Sequence, residues 1–156
     1  MAAPTHAERL IDALVDAYKV ATMTVAYCAS AGDEKAEPHR LRALFDCADL
    51  CQTTAAAASR ASRFLRPLTE LTADVARAAA EAYSDLEHGD GQLRRLYAVA
   101  LHAAHVCDEF TGRADLDPVP DEQDLASSAS FPASDPPPLP VQGSPSRPSN
   151  DPGAGG

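Results

Sequence analysis

The chain has 156 residues and a formal net charge of −10, with 13 prolines, four cysteines and no tryptophan. This length suits one domain of ordinary size. The acidic balance argues against nucleic acid and anionic membranes as partners, because both call for clustered Lys and Arg. The sequence contains no apolar run of about eighteen residues, and its polar N-terminus is unlike a signal peptide. We therefore expect a cytoplasmic protein.

Prolines and one glycine-containing break divide the first 112 residues. Pro4, Pro38 and Pro67 each precede a long segment with helical apolar periodicity, and proline is common where helices begin. Together with the break LEHGDG, they predict four helices over residues 5–30, 38–63, 67–88 and 91–110. Short connections make consecutive helices antiparallel neighbours. The predicted fold of residues 1–112 is an all-α, antiparallel up-down-up-down four-helix bundle.

The other ten prolines follow Gly112. Segments such as DPPPLP and GSPSRPSNDPGAGG bury too little apolar surface to offset the entropy lost on ordering. We predict that residues 113–156 form a disordered, acidic tail rich in Pro, Ser and Gly. Extended proline segments are also recognised by protein partners, so the tail is a candidate partner-binding element.

The inward faces of the helices follow from the 4,3 spacing of a bundle. All four cysteines lie on them. The inward positions are Leu10, Leu14, Ala17, Ala21, Thr24 and Cys28 on the first helix, Leu44, Cys47, Cys51, Thr54 and Ala58 on the second, Thr69, Thr72, Ala76, Ala79 and Tyr83 on the third, and Leu96, Ala100, Ala103, Cys107 and Phe110 on the fourth.

Residues at the middle of these faces are unusually small, since bundle cores normally contain Leu, Ile and Phe. Two arrangements fit this pattern. In one, the helices pack closely and flanking side chains fill the core, namely Leu41, Leu50, Leu71, Val75, Val99 and Leu101. In the other, a space remains along the bundle axis.

The segment DCADLCQTT places Cys47 and Cys51 four residues apart on one helical face. A disulfide is disfavoured, because thiols at this spacing stack without the dihedral angle that the bond prefers, and because the cytoplasm is reducing. Two soft thiolates on adjacent turns suit Cu(I). Alternatively, both cysteines are packing residues, since free cysteine is among the most buried residue types.

The depths of the other thiols follow from the helical rise. Cys28 and Cys107 should lie near opposite ends of the bundle, with Cys107 roughly 10 Å below Cys51 along the axis. This spread disfavours a single tetrahedral zinc site, and Tyr83 should lie level with the cysteine pair. The sequence contains no di-iron pattern, phosphate-binding loop or hydrolase motif. An enzymatic role is left open but is not favoured.

The segments DCADLCQTTA, LTELTADVARAAAEAY and LRRLYAVALHAAHVCDEFTG resemble the cysteine-rich four-helix-bundle copper storage proteins over residues 5–112. In that family inward cysteines bind many Cu(I) ions along the axis. The resemblance implies that Cys28, Cys47, Cys51 and Cys107 are retained ligands. Thirteen other inward positions then correspond to lost cysteines, namely Leu10, Leu14, Ala17, Ala21, Thr24, Thr69, Thr72, Ala76, Ala79, Tyr83, Leu96, Ala100 and Ala103. This chain would be a degenerate member of the family with little storage capacity.

Two functions remain open from the sequence. The first is a low-capacity Cu(I)-binding protein of copper handling or homeostasis, centred on the CxxxC pair. The second is a metal-free, repurposed bundle whose axial pocket binds or transforms a small organic substrate, such as an intermediate of a biosynthetic pathway. The candidate pocket residues are Tyr83, Ala17, Ala21, Ala79 and Ala100.

Overall fold

The structure is a computed structural model that describes residues 2–115. Its helices are α1 (His6–Ala31), α2 (Pro38–Ser59), α3 (Leu65–Ala82) and α4 (Gly91–Thr111). Short 3-10 turns follow α1, α3 and α4 at Glu34–Ala36, Glu87–Gly89 and Arg113–Asp115. The described residues contain no strand, which confirms the all-α fold. None of the helices in this part of the chain is both long enough and apolar enough to cross a membrane.

The predicted tail lies outside the described residues, apart from its first three positions. Arg113–Asp115 form a 3-10 turn that continues directly from α4. Arg113 donates a hydrogen bond to the Glu70 carbonyl on α3 at 3.4 Å. Arg113 thus packs against α3, and the boundary between the bundle and the tail stays a prediction.

Local capping explains where α1 and α4 begin and end. At the start of α1, the Thr5 N–H donates to the Glu8 carboxylate at 2.7 Å, and the Glu8 N–H donates back to the Thr5 hydroxyl at 3.2 Å. This reciprocal pair is a capping box. Asp90 caps α4 in a similar way, because its carboxylate accepts from two backbone N–H groups. Both helices end at a glycine with positive φ, Gly32 at 66° and Gly112 at 77°.

The predicted bounds of α2 and α3 were wrong by several residues. α2 ends at Ser59, not at 63, because the chain turns through Ala61 with a φ of 50°. α3 begins at Leu65 and contains Pro67 as its third residue. Proline fits there because the N–H groups of the first turn make no hydrogen bond within the helix. α3 ends at Ala82, six residues before the predicted end.

Each helix packs against two neighbours, in the order α1, α2, α3, α4 and back to α1. Buried side chains link these pairs across the bundle. The Thr54 and Thr72 hydroxyls are 2.8 Å apart between α2 and α3, and Gln92 donates to the Thr24 hydroxyl at 3.0 Å between α4 and α1. These contacts are consistent with the up-down-up-down order.

The core consists mainly of the predicted inward positions, all of which are buried except Phe110, which is half-buried. Leu93 is fully buried and was missed, although it precedes Leu96 by the same spacing of three. Leu71 and Leu101 do not fill the core, since they are 49% and 38% exposed. Other flanking residues, Leu41, Val75 and Val99, pack against it in part. Small side chains therefore do form the middle of the bundle.

Candidate metal centre

Two thiols on α2 lie against each other inside the bundle. Cys47 is 1% exposed and Cys51 is 0% exposed. The Cys51 thiol donates a hydrogen bond to Cys47, which lowers the pKa of Cys47 below its ordinary value of 9.0 although burial opposes the shift. The same hydrogen bond raises the pKa of Cys51, and burial adds to this. Of the two thiols, Cys47 is therefore the one that loses its proton more readily.

Cys107 on α4 is the thiol that interacts electrostatically with this pair. Burial raises its pKa to about 12, with the positive charge of Arg77 opposing and the charge of Cys47 adding to the shift. The charge of Cys107 in turn raises the pKa of Cys51. Cys107 thus influences the pair through its charge, without joining it in a gathered group of three ligands.

Cys28 belongs to a different part of the core, together with Tyr83. Burial raises the pKa of Cys28, and a hydrogen bond with the Tyr83 hydroxyl partly offsets the increase. The position of Tyr83 differs from the sequence-based expectation. The Thr54–Thr72 contact places Cys47 level with Ala79, so Tyr83 lies about 6 Å further along the axis at 1.5 Å per residue.

The threonines at inward positions have their hydroxyl groups satisfied within the protein. Thr24 and Thr69 donate to carbonyls of Val20 and Leu65, one turn earlier in the same helix. Thr72 donates likewise to its own helix and also contacts Thr54. These positions need neither a ligand nor a water molecule to complete their hydrogen bonding.

The thiols are the soft donors that this core offers a metal. All five histidines are exposed, and so is Met23. Within residues 2–115, no three His, Cys, Asp or Glu side chains are gathered closely enough to form a ready-made metal site. A tetrahedral zinc centre therefore does not fit. A contacting pair of thiols fits Cu(I), because thiolate ligands select this soft ion.

The five predicted pocket residues are all buried, with Tyr83 and Ala17, Ala21, Ala79 and Ala100 inside the bundle. Three cavities of about 440, 430 and 420 Å³ instead lie in grooves of the outer surface, and none of the five residues lines them. No observation thus favours a substrate pocket on the axis. That pocket stays a prediction from the sequence.

Comparisons with known proteins agree with this fold. The family model described as "Csp: Copper storage protein" matches residues 3–111. The crystal structure of the Nmul_A1745 protein from Nitrosospira multiformis is 21% identical, with a TM-score of 0.63, over 69% of this chain and 96% of that chain. The Cu(I)-bound copper storage protein BsCsp3 is 20% identical, with a TM-score of 0.64, over 69% of this chain and 99% of that chain. No curated protein matches the chain.

Proposed function

Because this chain belongs to the copper storage protein family, we propose that it binds Cu(I) at low capacity, with Cys47 and Cys51 as the central ligands. The contact between these two buried thiols carries the proposal. Cu(I) would bind between the two sulfur atoms as thiolates, and the protons that the two thiols carry would be released to solvent. Metal affinity at this site should then increase with pH, because the ligands must be deprotonated.

Cys107 is the third ligand in this proposal. It interacts electrostatically with both members of the pair, and a third soft donor at this depth would hold the ion more tightly than two. Cys28 makes its interactions with Tyr83 instead. We assign it no place in the central site.

The low capacity follows from the composition of the core. Four inward positions carry thiols, and the other inward positions carry residues without a soft donor. The similar protein BsCsp3 has been solved with Cu(I) bound, which supports the choice of ion. A role in copper handling or homeostasis suits this chain better than bulk storage, because four buried thiols can hold very few ions.

An anaerobic Cu(I) titration against a competing chelator tests this proposal. The reduced wild type should withdraw about one equivalent of Cu(I) from the chelator. The Cys47→Ser, Cys51→Ser double variant should lose this tight binding, and the Cys28→Ser variant should retain it. The proposal fails if the wild type cannot compete with the chelator, or if the double variant competes equally well.

A further inference from the structure

All four thiols are buried in the closed bundle, so an ion or a reagent reaches them only after part of the structure opens. Antiparallel packing brings the α1–α2 and α3–α4 connections to the same end of the bundle. Cys28 is the thiol closest to this end. Because α1 folds back against α2, Cys28 is level with Leu41, six residues before Cys47. At 1.5 Å per residue, Cys28 and Cys47 are therefore about 9 Å apart along the axis.

One buried side chain joins the two connections above Cys28. Tyr83 is the residue that follows α3, and its hydroxyl donates a hydrogen bond to the Lys35 carbonyl in the α1–α2 connection at 3.1 Å. Its ring is fully buried, and the guanidinium of Arg40 lies over it, 5.6 Å from the centroid. Burial and the interaction with Cys28 both raise the pKa of the Tyr83 hydroxyl, so it stays a hydrogen-bond donor.

We propose that the Tyr83–Lys35 hydrogen bond is a clasp that closes this end of the bundle over Cys28 and limits access to the inner thiols. Opening the clasp separates a hydroxyl from a carbonyl, and water can replace both partners, so the net free energy involved is small. The supporting ion pair of Arg40 with Asp85, at 2.7 and 2.8 Å, is largely solvent-exposed on the Asp85 side. Water can replace the Arg40 partner at the exposed Asp85 carboxylate when this end opens.

The opposite end of the bundle is closed by different chemistry. Leu10 is fully buried there, and Leu65 and Phe110 pack against the core. Opening this end would expose apolar surface, for which water offers no compensating partner. The clasp end also buries apolar surface, namely the Tyr83 ring and Leu93, but the groups that join its two connections are polar and regain partners in water. In this proposal the clasp end therefore opens more readily, and Cys28 is the first thiol to be reached. The application to copper entry rests on the proposed function, whereas the clasp itself does not.

Site-resolved alkylation of the metal-free, reduced protein tests the clasp. The folded protein is treated with N-ethylmaleimide for increasing times, and digestion with mass spectrometry gives a rate for each cysteine. Cys28 should react first in the wild type. In Tyr83→Phe its rate should rise roughly fivefold, the effect of losing one net hydrogen bond, while the Cys107 rate stays unchanged.

Tyr27→Phe is the matched control. It also removes a tyrosine hydroxyl that joins two helices at this end, the bond to Asp90 at 2.6 Å, but it leaves the clasp intact. Cys28 should react in this variant at the wild-type rate. The alkylation rates are also measured at low urea concentrations. Alkylation that requires global unfolding accelerates steeply with urea, whereas alkylation through local opening does not.

Three results would overturn the clasp: Cys107 reacting before Cys28 in the wild type, an unchanged Cys28 rate in Tyr83→Phe, or an equal acceleration of all four thiols. Cu(I) transfer from a chelator, followed anaerobically, then tests its role in copper entry. Tyr83→Phe should load faster than the wild type and reach the same end point. If alkylation responds as expected but no copper binds, the proposed function fails and the clasp stands.

Discussion

Replacing Cys107 with alanine should make the bundle less sensitive to alkaline pH. Burial raises the pKa of this thiol from its ordinary value of 9.0 to about 12. In the unfolded chain the thiol ionises near its ordinary pKa, whereas in the folded protein it stays protonated. The stability that depends on this difference is fully present below about pH 9 and is lost as the pH rises towards 12.

The size of the effect follows from the shift. One pKa unit corresponds to about 1.4 kcal/mol, so a shift from 9.0 to about 12 amounts to about 4 kcal/mol by pH 12. At pH 10.5 the unfolded thiol is ionised and the folded thiol is not, which lowers the free energy of unfolding by about 2 kcal/mol. Alanine has no group that ionises, so Cys107→Ala should not show this decrease in the free energy of unfolding.

Urea unfolding of the reduced, metal-free protein at pH 7.5 and pH 10.5 measures the difference. Between these pH values the wild type should lose about 2 kcal/mol more than Cys107→Ala. Val106→Ala, a neighbouring change that removes no titratable group, serves as the control and should follow the wild type. An identical pH dependence in the wild type and Cys107→Ala would show that this thiol is not shielded from water.

Three further predictions concern the core and the first cap. Ala79→Cys adds an inward thiol level with the cysteine pair and should increase Cu(I) uptake in the chelator titration, whereas Ala78→Cys, on the exposed face of the same helix, should not. Leu14→Ala should destabilise the bundle by about 3 kcal/mol in urea unfolding because it leaves a buried cavity, while the exposed Leu71→Ala should change stability by less than about 0.5 kcal/mol. Thr5→Ala removes the capping box of α1 and should cost about 1 kcal/mol in the same assay.

The helices could be predicted because their signals are local. Gly32 and Gly112 end their helices by adopting positive φ, and the 4,3 spacing identified the buried faces. The start of α3 was placed too late, because Pro67 was interpreted as the helix opener when two residues of the helix precede it. Proline is tolerated anywhere in the first turn, so its position alone leaves the start uncertain by about one to three residues.

The register between helices was harder to predict than their faces. A shift of four residues moves a side chain by about 6 Å along the axis, and that shift separates Tyr83 from the cysteine pair. The register is set by contacts such as Thr54 with Thr72, between residues distant in sequence. The family resemblance drawn from the sequence is confirmed by the match over residues 3–111, whereas the ligand assignments stay predictions.

The inward residues other than cysteine indicate how the bundle can be stable without copper. Without copper, cysteines at these positions would be neutral thiols, because burial disfavours the charged form, and they would be bulkier than the alanines found here. Here alanines let the helices approach, and the threonine hydroxyls bond to carbonyls of their own helices. Four buried thiols remain, and burial extends the pH range over which Cys107 stays protonated, because it raises the pKa of this thiol from 9.0 to about 12. We therefore predict that the bundle folds without the metal, and that Cu(I) adds stability as a ligand through binding.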